Sequence, residues 1–130
     1  MKVCVFGAGN MGARITEVFL TNGHEVTMLD VKQEFIDRGV KTITNDLSFL
    51  VKKEKMTEEK KNELLASLKT SLDRKAAADA DFIMEVILER MDLKKELLQE
   101  LDQICPAHTI FGSNTSALSI TEMAASVPNR

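Results

Sequence analysis

These 130 residues predict an α/β fold, a doubly wound and mainly parallel sheet, from three observations. A short apolar run, Val3, Val5 and Phe6, breaks off at Gly7. Gly7, Gly9 and Gly12 then stand at G-x-G-x-x-G spacing, and apolar residues follow at helical intervals, Ile15, Val18 and Phe19. A second apolar run, Val26, Met28 and Leu29, closes on Asp30. Strand, glycine turn, helix and second strand therefore succeed one another without a break.

Each glycine has a physical reason. Gly7 allows the tight turn out of the strand, Gly9 lets backbone approach a pyrophosphate with no Cβ in the way, and Gly12 lets the helix pack close to the strand. The helix start carries unpaired N–H groups and the positive end of the dipole, an anion site that needs no basic side chain. Asp30, about 20 residues after the glycines, is the acid expected at the adenosine ribose, where a carboxylate accepts from both hydroxyls and repels a 2′-phosphate. The reading is a Rossmann-type domain that binds NAD rather than NADP. Its cofactor-binding candidates are Gly7, Gly9, Asn10, Met11, Gly12 and Asp30.

Further along, Ile36, Val40, Ile43, Leu47, Leu50 and Val51 make the stripe of a long amphipathic helix over 32–54. Thr57 with Glu58 and Glu59 is an N-cap signal, and Leu64, Leu65 and Leu68 offer a facing stripe. Together they predict a helical hairpin, about 32–69, inserted between strands. Its charged turn, KKEKMTEEKKNE, reads either as solvated surface or, through Lys52 and Lys53, as a contact for a phosphorylated ligand. Thr70–Leu72 suggests a third strand, KAAADAD a small helix, and FIMEVIL at 82–88 a buried fourth strand. Glu85 interrupts that strand, either as a strand-end acid near the cofactor or as a capping partner. Leu93, Leu97, Leu98, Leu101 and Ile104 mark the next helix, Pro106 ends it, and HTIFG at 108–112 is the fifth strand, followed by Ser113–Ser116.

Ligands of such sheets sit beyond the carboxyl ends of the strands, where the glycine loop, Asp30, Glu89 and Ser113–Ser116 all fall. His24 and His108 precede their strands and belong to the opposite edge, so no Ser-His-Asp hydrolase can be assembled. A net charge of −3 with interspersed Lys and Glu supplies no basic face for nucleic acid or an anionic membrane. Cys4 and Cys105 lack metal-site spacing and read as reduced thiols of a cytoplasmic protein with no metal.

GAGNMGARI at 7–15, LVKKEKMTEE at 50–59, EVILERMDLKKELLQELD at 85–102 and FGSNTSALSITEMA at 111–124 together resemble the NAD-binding part of 3-hydroxyacyl-CoA dehydrogenases, the bacterial 3-hydroxybutyryl-CoA subgroup most of all. The resemblance implies that Asp30 binds the adenosine ribose and that Glu89 and Lys94 lie at the nicotinamide half of NAD. It further implies that Asn114 and Ser116 meet the substrate, with Ser116 hydrogen-bonding at its reacting end, and that Lys53 lands where the hairpin touches coenzyme A. Asp46 replaces a serine found in some members at a neighbouring coenzyme A contact. The implied reaction moves a hydride between C3 of the acyl-CoA and NAD, with the hydroxyl proton taken by a His paired with a carboxylate. In the family that pair lies past residue 130, the His in an H-F-F-N-P motif, as does a helical domain that binds substrate and forms a homodimer. The expectation for these 130 residues is NAD binding without turnover. A β-hydroxyacid dehydrogenase and a non-catalytic, crystallin-like NAD module are the other readings of the same fold.

Overall fold

A computed structural model describes residues 1–87, 90–114 and 117–128, with the backbone alone at 117–121. Among the described residues, β1 (Lys2–Phe6), β2 (Glu25–Leu29), β3 (Leu68–Ser71), β4 (Phe82–Glu85) and β5 (Ile110–Ser113) form one sheet in the order β3-β2-β1-β4-β5, every pair parallel. The helices are α1 (Asn10–Thr21), α2 (Gln33–Lys52), α3 (Glu58–Ala66), α4 (Met91–Ile104) and α5 (Ala117–Ser126).

Period-two alternation in β1 sorts the core. Val3 and Val5, with Val26 and Met28 of β2, pack under Ala13 and Leu20 of α1, Ile36, Ile43 and Leu47 of α2 and Leu64 of α3. Cys4 and Phe6, with Ile83 of β4, face Leu97 and Leu101 of α4 on the other side. Helices on both faces of a parallel sheet make the fold doubly wound, as the sequence predicts. The hairpin is also present: α2 and α3 pack together, and Thr57 caps α3 by accepting from the Lys60 N–H at 3.1 Å.

Several elements differ from expectation. In α1 the buried face is Gly12, Ala13, Thr16 and Leu20, whereas Val18 is 59% exposed. Thr16 can be buried because its hydroxyl donates to the Gly12 carbonyl at 2.9 Å. Leu68 belongs to β3 rather than to the α3 stripe, since α3 ends at Ala66 with Ser67 as its C-cap, and Leu72 falls outside the strand, exposed. KAAADAD gives only a 3-10 turn over Arg74–Ala77, started by Asp73 accepting from the Lys75 N–H. The chain must then extend toward β4: the Asp81 N–H donates to the Lys2 carbonyl, and its carboxylate accepts from the Lys2 N–H. β4 stops at Glu85 and β5 starts at Ile110; just before it the Thr109 N–H donates to the Pro106 carbonyl, and the Thr109 hydroxyl donates to the Ala80 carbonyl at 2.6 Å.

Candidate functional site

One row of paired residues crosses the carboxyl edge of the sheet: Ser71, Leu29, Phe6, Glu85 and Ser113. The strand order reverses between β1 and β4, so the crevice of a doubly wound sheet opens here. Directly beyond the row come Gly7, Asp30, Val86 and Asn114. His24 and His108 lie at the other edge: His24 Nδ1 is 3.2 Å from the amino terminus, and His108 Nε2 is 2.9 Å from Asp81.

The glycine loop divides into positions that the fold requires and one that it does not. Gly7 has φ +123°, and a Cβ there would stand 2.4 Å from the Val86 carbonyl oxygen; at Gly12 a Cβ would stand 1.9 Å from the Gly7 carbonyl oxygen. At Gly9, with φ −70°, a Cβ would meet nothing within 4 Å. The protein itself thus has no need of glycine at position 9, and the space a side chain would fill is left open over the start of α1. Gly9 supplies no side-chain cap to α1, whose first turn, with Asn10 and Met11, carries no acid. This is an uncompensated positive helix end, and a pyrophosphate fits it.

Asp30 lies beside this loop. Its carboxylate accepts from the Ala8 N–H at 2.8 Å through Oδ2 and from the Val31 N–H at 2.7 Å through Oδ1. Two of its roughly four acceptor positions are used, which leaves capacity for ribose hydroxyls. Sequence reasoning did not single out Gly39 of α2, where a Cβ would stand 2.8 Å from the Ala8 carbonyl oxygen. The hairpin is thus seated directly on the glycine loop. A glycine inside a strong helical stripe was the available signal.

At the other end of the crevice, Glu85 is fully buried and takes four hydrogen bonds. Lys94 Nζ donates to both of its oxygens at 2.9 Å, Ser113 Oγ to Oε1 at 2.5 Å and the Ile87 N–H to Oε2 at 2.8 Å. The Glu85 carbonyl accepts from the Asn114 N–H at 3.0 Å. Of the two alternatives for Glu85 the strand-end acid is the one observed: it is the last residue of β4, satisfied by a buried ion pair rather than acting as a cap, and the Lys94 side chain, 1% exposed, points inward from the buried face of α4. Glu89 and Ser116 lie outside the described residues. Asn114 is exposed. Lys53, the C-cap of α2, is also exposed, its Nζ 5.5 Å from the centre of the Phe49 ring.

Cys4 and Cys105 are free and buried, and burial pushes the Cys4 thiol up to about 12. Among the described residues no cluster of three or more His, Cys, Asp or Glu could hold a metal ion, and no helix is long and apolar enough to cross a membrane.

A parallel sheet in this order, with a glycine turn leading into a helix and an acid ending β2, defines a dinucleotide-binding domain. Comparison with known proteins narrows the class. The family "3-hydroxyacyl-CoA dehydrogenase, NAD binding domain" matches residues 2–130, and the chain belongs to it. A probable 3-hydroxybutyryl-CoA dehydrogenase of Bacillus subtilis is 40% identical over 129 residues, 99% of this chain and 45% of that protein. The mitochondrial hydroxyacyl-coenzyme A dehydrogenase of Rattus norvegicus is 40% identical, over 94% of this chain and 41% of its own. The crystal structure of (S)-3-hydroxybutyryl-CoA dehydrogenase from Ralstonia eutropha superposes with a TM-score of 0.90 at 37% identity, covering 96% of this chain and 44% of that one. The chain thus spans less than half the length of these relatives.

Proposed function

We propose that this chain is the NAD-binding segment of a cytoplasmic dehydrogenase that moves a hydride between C3 of a 3-hydroxyacyl-CoA, 3-hydroxybutyryl-CoA in particular, and NAD. The observation that carries the reading is the open space at Gly9, over an uncapped helix start and beside the Asp30 carboxylate. Relatives named as 3-hydroxybutyryl-CoA dehydrogenases support the substrate class.

When bound, NAD accepts or returns the hydride. The chain's own residues bind and orient it. N–H groups of residues 10–12 receive the pyrophosphate, and Gly9 keeps the approach clear. Asp30 accepts from the adenosine ribose hydroxyls while its bonds to Ala8 and Val31 hold it in place. With Asp30 after β2 holding the adenosine ribose and the glycine loop after β1 holding the phosphates, the residues at the ends of β4 and β5 would hold the nicotinamide half. Glu89 is assigned to it by the family resemblance, and Lys94 acts from beneath, through Glu85. Asn114 and Ser116 orient the substrate, and Lys53 at the end of α2 meets coenzyme A phosphate, a contact that KM for the acyl-CoA reads. Neither His24 nor His108 can reach the substrate hydroxyl from the opposite edge, so its proton is taken by a group other than these. The homodimer belongs to the longer protein.

Calorimetric titration of the 130-residue chain tests the proposal. NAD should bind at least tenfold more tightly than NADP, about 1.4 kcal/mol, and no NADH should form from 3-hydroxybutyryl-CoA. Equal affinities would remove Asp30 from the ribose, and turnover would overturn the placement of the base. Gly9→Val should weaken NAD by at least about 100-fold and leave the protein folded, because its side chain enters the cofactor's space while its Cβ meets no protein atom within 4 Å. A variant that bound NAD normally would reduce the loop to a structural turn.

A further inference from the structure

Glu85 is not among the cofactor or substrate contacts assigned above, yet more of the crevice floor hangs from it than from any of them. Its carboxylate joins four segments: β4, α4 through Lys94, β5 through Ser113, and through Ile87 the chain that leaves β4. Ser113 Oγ is also 3.8 Å from Met123 Sδ, so α5 touches the same cluster. Four hydrogen bonds from three donors fill the roughly four lone-pair positions of a carboxylate, and the Lys94 and Glu85 side chains are 1% and 0% exposed. Such a pair is seldom kept for stability alone, because removing both ions from water offsets most of their attraction. Its position is informative. Glu85 pairs in register with Phe6, the last residue before the glycine loop, at the point where the strand order reverses.

We propose that Glu85 is a positioning residue for the nicotinamide half of the cofactor: it fixes Lys94, Ser113 and the segment after β4, and by neutralising the Lys94 charge under the floor it sets the balance between binding of NAD+ and NADH. The proposal rests on the NAD reading given above. Its logic is one of sign. The nicotinamide ring is cationic in NAD+ and neutral in NADH, so a net charge left beneath it acts on one form and spares the other, and in a water-poor floor that charge is weakly screened. Glu85→Gln keeps the shape and removes one negative charge from the floor, which disfavours NAD+. Lys94→Met leaves a carboxylate uncompensated, which favours it. Glu85→Gln/Lys94→Met removes one charge of each sign and restores the original net charge.

The test measures dissociation constants of NAD+ and NADH for the 130-residue chain and these three variants at pH 7, with circular dichroism confirming the fold. The expected result is a shift in the NAD+ to NADH affinity ratio of ~threefold or more against NAD+ in Glu85→Gln, an opposite shift in Lys94→Met, and return to the original ratio in the double variant. A purely structural role would weaken both forms equally in every variant, and that result overturns the proposal, as does a shift of one sign in both single variants. Should a single variant fail to fold, the other decides the sign, and the double variant, which buries no lone charge, must still match the unsubstituted ratio; a departure overturns the idea. Failure of the unsubstituted chain to bind either form would instead refute the NAD reading itself.

Discussion

Two glutamates, one on each side of the glycine loop, are treated in opposite ways by the fold. Glu85, at the carboxyl end of β4, is fully buried among donors: an ammonium, a hydroxyl and an amide. Glu17, half-buried on α1 against α2, faces another acid, Asp46, and its Oε1 is buried with no hydrogen-bond partner among the described residues. At Glu85 the chain provides a cation, and Lys94 Nζ donates to both carboxylate oxygens. Where it provides a second carboxylate, burial and that neighbour push the Glu17 carboxyl up to about 8, against a smaller opposing effect of Arg14. The contrast separates a charge held in place under the crevice from a proton held in place at the root of the hairpin.

Breaking the first site should have the larger effect. Lys94→Met leaves Glu85 buried without its cation, a change that costs ~3–5 kcal/mol, a large share of the ~5–15 kcal/mol that stabilises a typical domain. Combining it with Glu85→Leu should recover most of that loss, because two apolar side chains then fill the space. Urea unfolding of both variants reads the difference. A loss below ~1 kcal/mol in Lys94→Met would mean that Glu85 is satisfied without the ammonium, and the contrast with Glu17 would collapse.

The two regions also differ in how far the sequence reveals them. The loop side rests on backbone geometry, which leaves glycines at fixed spacing and an acid at a strand end, so Gly7, Gly9, Gly12 and Asp30 could be read directly. The stripe of α2 was equally legible, since Ile36, Ile43 and Leu47 are all buried. The other end was legible only in part: Glu85 could be read as a strand-end acid, but its partners could not. Lys94 falls within a leucine stripe on a charged helix, where a lysine reads as solvated, and only the fold brings Glu85 and Ser113 to it from neighbouring strands. The short elements failed for a related reason: Leu68 and the alanines of 76–80 have ample helix propensity, but strand pairing and the entry into β4 decided their state.

The second site gives a smaller effect, with a sign that can be worked out in advance. In the unfolded chain Glu17 titrates near the ordinary value of 4.5; in the folded chain it does so near 8. Between these values the folded state holds a proton that the unfolded state has released, so stability falls as pH rises through the window and levels off above it. Below the window both states are protonated and Glu17 contributes no slope. The two histidines and the other acids also titrate over this range, so the useful quantity is the melting temperature of the unsubstituted chain minus that of Glu17→Gln. This difference should drop by on the order of 5 °C between pH 5 and pH 8.5, with Glu17→Gln the more stable protein at the alkaline end. Asp46→Asn should shrink the drop, because it removes the neighbouring charge while burial, the larger cause, remains. A difference that stays constant with pH would show that Glu17 ionises normally where it lies, and that the hairpin root tolerates two adjacent carboxylates as readily as the crevice floor tolerates its ion pair.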